Sequence, residues 1–360
     1  MAKKMKDLVV VITGASSGIG QATALEFAEQ GANVVLAARR EWALRDVAME
    51  CERRGGQAIH VPTDTTDVTA VQELARRAIE RFGRIDVWVN NAAVGLFSRF
   101  EDAPLSDYLR VIETDLFGYI YGARAALPLF YRQGHGVLIN VGSIMSDVPA
   151  PYNSAYVIAK HGVRALGESL RQEAQLAGAK DINVCTVMPA TIDTPFFQHS
   201  ANYTGRAVKA MPPVYPADSV AKTIVDLVAH PQREVVVGNA GRLMAVQQSL
   251  APGMSERMLA TMIDKQHLAD DPAPPTSGNL FSPMGDGARV SGGWRPTDGA
   301  SKARKLATAA LVGIPAALVW RQYWKETVAM SGARGNGHQA QGNGRPDAQP
   351  QPLAETEVIG

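Results

Sequence analysis

The chain has 360 residues, 46% of them hydrophobic and 20% charged, with a formal net charge of +1. That is enough apolar material for one or two full cores, and so even a charge balance leaves no electrostatic footprint for nucleic acid. The only cysteines, Cys51 and Cys185, fall on separate elements, which argues against a disulfide framework or a metal cluster and for a reducing, cytoplasmic setting.

The charged start MAKKMKD runs straight into the apolar run LVVVI at residues 8–12 and does not read as a signal peptide. TGASSGIG follows at residues 13–20, then QATALEFAEQG. This order predicts a strand, a glycine turn and a helix. Gly14, Gly18 and Gly20, with Ser16, Ser17 and Ile19 between them, would bring backbone N–H groups up to a pyrophosphate at the positive end of the helix. The second apolar run, NVVLAARR, ends in Ala38, Arg39 and Arg40. A site for NAD places a carboxylate there for the ribose 2′-hydroxyl, whereas a site for NADP omits it and offers arginine to the 2′-phosphate. NADP is therefore the expected cofactor ahead of NAD. The bland alternative is that both arginines are solvated charges opening the next helix.

Further strands are predicted near residues 57–61, 86–90, 136–141, 182–187 and 234–237, with helical stretches between them. The alternation predicts an α/β, doubly wound parallel sheet of Rossmann-like type, covered on both faces. Ser143 closes one of these strands, at the carboxyl end where open α/β sheets keep their sites. Tyr156 and Lys160 stand four residues apart in SAYVIAK, on a helix expected from Ser154 to about Leu176, so the phenol and the ammonium share one face. A free phenol has a pKa of about 10, and a neighbouring cation makes it usable as an acid or base. Tyr156 could then give a proton to a carbonyl oxygen, or take one from an alcohol, while Ser143 holds that oxygen.

Residues 195–216, PFFQHSANYTGRAVKAMPPVYP, interrupt the alternation and are expected to form a substrate lid. Phe196, Phe197, Tyr203, Met211 and Tyr215 either point to an apolar or aromatic substrate or simply dock the lid, and His199 is expected as a lid or surface residue. One or two helices broken at Pro252 and Gly253 come next. The catalytic domain is assigned to residues 1–268, a Pro/Gly-rich linker to 269–300, an apolar and basic tail helix to 301–330 and a disordered tail to 331–360. Residues 306–320 carry no charge. As a helix they would be about 22 Å long against a hydrocarbon core of ~30 Å, which argues against spanning. Residues 306–324 suit either peripheral contact with a membrane interface or docking on the catalytic domain or a partner subunit.

TGxxxGxG followed by Ser and Tyr-x-x-x-Lys makes the chain resemble the classical short-chain dehydrogenases/reductases, over roughly residues 6–240. The resemblance extends to NNAA at residues 90–93, where Asn91 would meet the cofactor, to Asp64 in PTDTTD on the adenine side, and to PATIDT at residues 189–194, where Thr194 would meet the nicotinamide carboxamide. It implies that Tyr156 is the acid/base, that Lys160 lowers its pKa and holds the ribose, and that Ser143 positions the substrate oxygen. Asp115 stands where the family usually has a water-holding asparagine, and Ala93 and Ala190 stand where it has glycines. The implied function is NADP-dependent hydride transfer between a small-molecule alcohol and its carbonyl, with reduction the expected direction. The implied assembly is a homodimer or homotetramer, and no metal site is expected. A nicotinamide-binding regulatory protein and a membrane-recruited scaffold are the alternatives.

Overall fold

The computed structural model describes residues 5–286 and 288–295. The tail helix at 301–330, its contact through 306–324 and the tail at 331–360 lie outside the described residues. Seven strands form the central sheet: β1 (Val9–Thr13), β2 (Asn33–Ala38), β3 (Gln57–Pro62), β4 (Val87–Asn90), β5 (Gly136–Val141), β6 (Ile182–Pro189) and β7 (Glu234–Val237). Their order is β7-β6-β5-β4-β1-β2-β3, every neighbour parallel, as the alternation of strands and helices predicts.

Both faces of the sheet are buried, which is why the strands read as continuous apolar runs. Successive side chains still alternate: Val10 and Ile12 join one core cluster with Leu25, Phe27, Val220 and Ile224, while Val9 and Val11 join another with Leu74, Ala123 and Phe130. The chain winds outward from β1 to β3 and returns to β4, so a crevice opens between the carboxyl ends of β1 and β4. Thr13 joins those two ends. Its hydroxyl donates to Val89 O and accepts from the amides of Asn91 and Ala92.

The long helical segment before β5 is not uniform. Leu105–Ile112 and Gly118–Gln133 are α-helical, but Glu113–Phe117 between them is a turn of π-helix, a local widening that often accompanies functional residues. It carries Asp115.

The lid is pinned at three places. Ala201–Asn202 pairs with Leu96–Phe97, Arg206–Val208 with Leu268–Pro272, and Tyr215–Pro216 with Ile192–Asp193. Helices Asn239–Leu250 and Pro252–Gln266 follow β7, broken at the proline that cannot continue the first. Of the expected linker at 269–300, residues 269–286 and 288–295 are described, and parts of them are held against the rest of the chain. Leu268–Pro272 is a strand, and Leu280 is fully buried against Val94, Leu96, Val111, Ala155 and Ala201. Isolated apolar residues in a polar stretch supply this anchoring. Among the described residues no helix is long and apolar enough to cross a membrane.

Candidate active site

One cavity of about 250 Å³ runs along the carboxyl ends of the strands, and it brings the expected residues together. Its lining includes Gly14, Ser16, Ser17, Gly18, Ile19, Arg39, Arg40, Asp64 and Asn91 toward one end, and Ser143, Tyr156, Lys160 and Thr194 toward the other. Asp115 is fully buried behind this lining.

The glycine turn leads into the helix Gly18–Glu29. A Cβ at Gly20 would lie 2.3 Å from Gly14 O, so the turn closes only with glycine there. Asn91 locks the turn by donating from Nδ2 to Thr13 O. Among the described residues no acceptor meets the Ile19 amide, which leaves an N–H in the first helical turn facing an open groove.

Arg39 and Arg40 lie where β2 ends. Arg39 donates to the carbonyls of Asn279 and Leu280 at 2.5 and 2.9 Å. Arg40 donates to Asp286 O at 2.7 Å and to the hydroxyls of Ser16 and Ser17 at 3.2 and 3.1 Å. Their acceptors are all neutral, and burial holds both guanidinium pKa values below the ordinary arginine value. A partly buried cation, Arg39, and a buried one, Arg40, beside a helix amino terminus are the groups that could hold an anion. Asp64 is committed elsewhere, accepting from Arg110 Nη2 at 2.6 Å and from Thr66.

At the other end Ser143 caps the short 3-10 turn Ile144–Ser146. Its Oγ accepts from the Met145 amide at 3.1 Å, so the hydroxyl proton remains free to donate. The helix Ser154–Leu176 carries both Tyr156 and Lys160. Lys160, 1% exposed, donates to Tyr119 Oη at 3.0 Å and Val141 O at 3.1 Å, and its Nζ lies 3.6 Å from Asp115 Oδ2. Tyr119 completes this set, and nothing in its sequence surroundings marks it. The Lys160 ammonium lies 5.4 Å from the Tyr156 ring centroid.

Burial pushes the Tyr156 phenol well above its ordinary pKa, the Asp115 charge pushes it further, and contact with Ser143 opposes both. The Lys160 ammonium engages Asp115, Tyr119 and Val141. Asp115 itself, buried but facing Lys160 and the Val94 amide, is raised to about 6. Its Oδ2 has no hydrogen-bond partner among the described residues.

The lid residues divide. Phe196 and Phe197 line the cavity and continue an aromatic wall from Tyr156 through Phe97 and His267, with ring centroids 5.4–6.5 Å apart. Tyr203, Met211 and Tyr215 dock the lid instead: Tyr203 donates to Asp107 at 2.6 Å, Met211 is buried, and Tyr215 Oη accepts the Ala240 amide. His199 is buried beside Asp286 and faces the cavity rather than the surface. His267 was not marked by the sequence. Its Nδ1 contacts Lys209 O at 2.7 Å, and burial lowers its pKa to about 4, so it is a neutral part of the wall. Among the described residues no group of three or more His, Cys, Asp or Glu is placed to hold a metal ion.

Tight turn, unpaired first-turn amide and paired arginines together fit a dinucleotide phosphate chain, and comparison with known proteins agrees. The family model described as short chain dehydrogenase matches residues 8–204. An uncharacterized oxidoreductase, YxnA of Bacillus subtilis, is 36% identical over 299 residues, covering 81% of this chain and 83% of that protein. Dehydrogenase/reductase SDR family member 7B of Bos taurus is 30% identical over 277 residues, 74% of this chain and 84% of its own. An alcohol dehydrogenase from the archaeon Thermococcus sibiricus, solved with 5-hydroxy-NADP, superposes with a TM-score of 0.57 at 28% identity, over 64% of this chain and 96% of that one. A short chain dehydrogenase/reductase from Burkholderia phymatum, solved with NAD, shares the fold with a TM-score of 0.65 at 24% identity, over 76% and 99% of the two chains.

Proposed function

Because this chain belongs to the short-chain dehydrogenase/reductase family, and is therefore an NAD(P)-dependent oxidoreductase, we propose that it uses NADPH to reduce the carbonyl of an apolar or aromatic small molecule to a secondary alcohol. The observation that carries this reading is a single cavity joining Ser143 and Tyr156 to the glycine turn and to Arg39 and Arg40. The aromatic wall of Phe97, Phe196, Phe197 and His267 supports an apolar substrate, which it would strip of water.

The nicotinamide supplies the hydride. Ser143 donates its free hydroxyl proton to the carbonyl oxygen and fixes its position. Tyr156, whose raised pKa keeps it a phenol at neutral pH, delivers a proton to that oxygen as charge develops there. Lys160 lies behind the ring, where its ammonium would stabilise the phenolate that remains; burial lowers the Lys160 pKa, and the Asp115 carboxylate opposes that lowering. Thr194 would hold the carboxamide, and Ser16, Ser17, Ile19, Arg39 and Arg40 the phosphates. Arginine at positions 39 and 40, with alanine rather than a carboxylate at position 38, supports NADPH over NADH.

Mixing the protein with NADPH and a panel of aryl and long-chain ketones and aldehydes should show loss of absorbance at the reduced nicotinamide band with several of them, and slower loss with NADH. No oxidation of either nucleotide by any carbonyl would refute the reading.

Asp115→Asn gives a pH test. The ionised carboxylate, present above about 6, raises the Tyr156 pKa, so its removal lowers that pKa. Reduction needs the phenol, and the alkaline limb of its pH profile should move to lower pH. Alcohol oxidation needs the phenolate, and its acid limb should move down as well. Limbs that stay in place would remove Asp115 from the proton account.

A further inference from the structure

Residues 276–286 and 288–294 run along the cavity from its arginines to Thr194. Thr276 pairs with Asn202 through both backbone groups at 2.8 and 3.0 Å, Asn279 N donates to His199 O at 2.9 Å, and Leu280 is fully buried. The carbonyls of Asn279 and Leu280 then meet Arg39, and those of Met284 and Asp286 meet Arg40. Farther on, Arg289 O accepts the Gly18 amide at 3.0 Å. Ser291 Oγ and the Trp294 amide bond Asp193 at 2.7 and 2.8 Å, and Trp294 Nε1 donates to Thr194 O at 3.1 Å.

A segment so placed either plugs the groove or walls it, and the unused donors decide between these. A guanidinium has five N–H groups; among the described residues Arg39 makes two bonds, both to these carbonyls, whereas Arg40 makes four, two to carbonyls and two to the Ser16 and Ser17 hydroxyls, so the unused donors are mainly those of Arg39. The Ile19 amide meets no acceptor among the described residues. The cavity is open, and Asn279, Pro283 and Met284 line it together with Arg39, Arg40 and Asp64.

Resting on the assignment of NADPH as cofactor, we propose that residues 276–286 and 288–294 are a cis-acting wall of the dinucleotide site. The carbonyls of Asn279, Leu280, Met284 and Asp286 hold Arg39 and Arg40 in position for the 2′-phosphate, and Pro283 and Met284 cover the adenine. The segment thereby sets cofactor preference through contacts that no side-chain motif encodes.

Two glycines allow a direct test. A Cβ at Gly278 would fall 2.3 Å from His199 O, and one at Gly292 would fall 2.3 Å from Thr194 O, so a single methyl at either prevents close docking. Dissociation constants for NADPH and NADH are measured by fluorescence titration of the full chain and of Gly278→Ala, Gly292→Ala and Met284→Ala, alongside amide hydrogen exchange over 276–294. The expected result is faster exchange in both glycine variants, NADPH binding weakened about tenfold, NADH binding weakened less, and a smaller loss in Met284→Ala. NADPH affinity that is unchanged or higher in both glycine variants overturns the proposal, a gain marking the segment as a plug. A wild-type chain that prefers NADH contradicts the cofactor assignment instead, and that result is read before any variant.

Discussion

Tyr156→Phe is expected to lower carbonyl turnover by about 10²–10⁴-fold while leaving the NADPH dissociation constant within about twofold of wild type. The substitution removes one oxygen and keeps the ring, which packs 5.6 Å from Phe196 in the aromatic wall. The Lys160 ammonium retains Tyr119 Oη, Val141 O and Asp115, none of which depends on the Tyr156 hydroxyl. What disappears is the proton donor to the carbonyl oxygen, so the loss should appear in kcat more than in KM. Turnover close to wild type in this variant would show that Ser143 or solvent supplies the proton.

Arg40→Ala is expected to weaken NADPH binding by about 10- to 100-fold and NADH binding by much less, as the loss of charge-assisted hydrogen bonds to one phosphate requires. Arg40 joins three parts of the site: the hydroxyls of Ser16 and Ser17, the carbonyls of Met284 and Asp286, and the open groove. Its removal takes away the cation and loosens the wall beside it. Equal losses for the two nucleotides, measured by the same titration, would mean that Arg40 only supports the fold.

Local features of the sequence made much of this site legible. A four-residue spacing stacks Tyr156 over Lys160 on any helix, and strand, glycine turn and helix occur within twenty residues of one another. Parallel strands buried on both faces announce themselves as apolar runs. The spacing could not say which partners the Lys160 amine chooses, because Asp115 and Tyr119 arrive from another helix through a π-turn that leaves no compositional mark. Nor did the lid residues reveal which face they present: Phe196 and Phe197 turn to the cavity while Tyr203 turns to Asp107.

The stretch at 269–295 was the least legible. Its Pro, Gly, Ser and Asp content suits a linker, yet its backbone carbonyls satisfy arginines some 240 positions earlier. Carbonyl acceptors exist at every residue, so apolar points in a polar stretch, such as Leu280, Val290 and Trp294, were the signal that the segment returns to the core.

Hydride transfer from the nicotinamide with proton transfer from Tyr156 is tested most directly by isotope labelling. NADPH deuterated at the transferring position of C4 is supplied with any carbonyl that the protein consumes, and the alcohol is analysed by proton NMR for wild type and Tyr156→Phe. The wild-type product should carry deuterium on the carbinol carbon, and the variant should give almost no labelled product. Unlabelled alcohol, or labelled alcohol formed equally fast by both proteins, would contradict it.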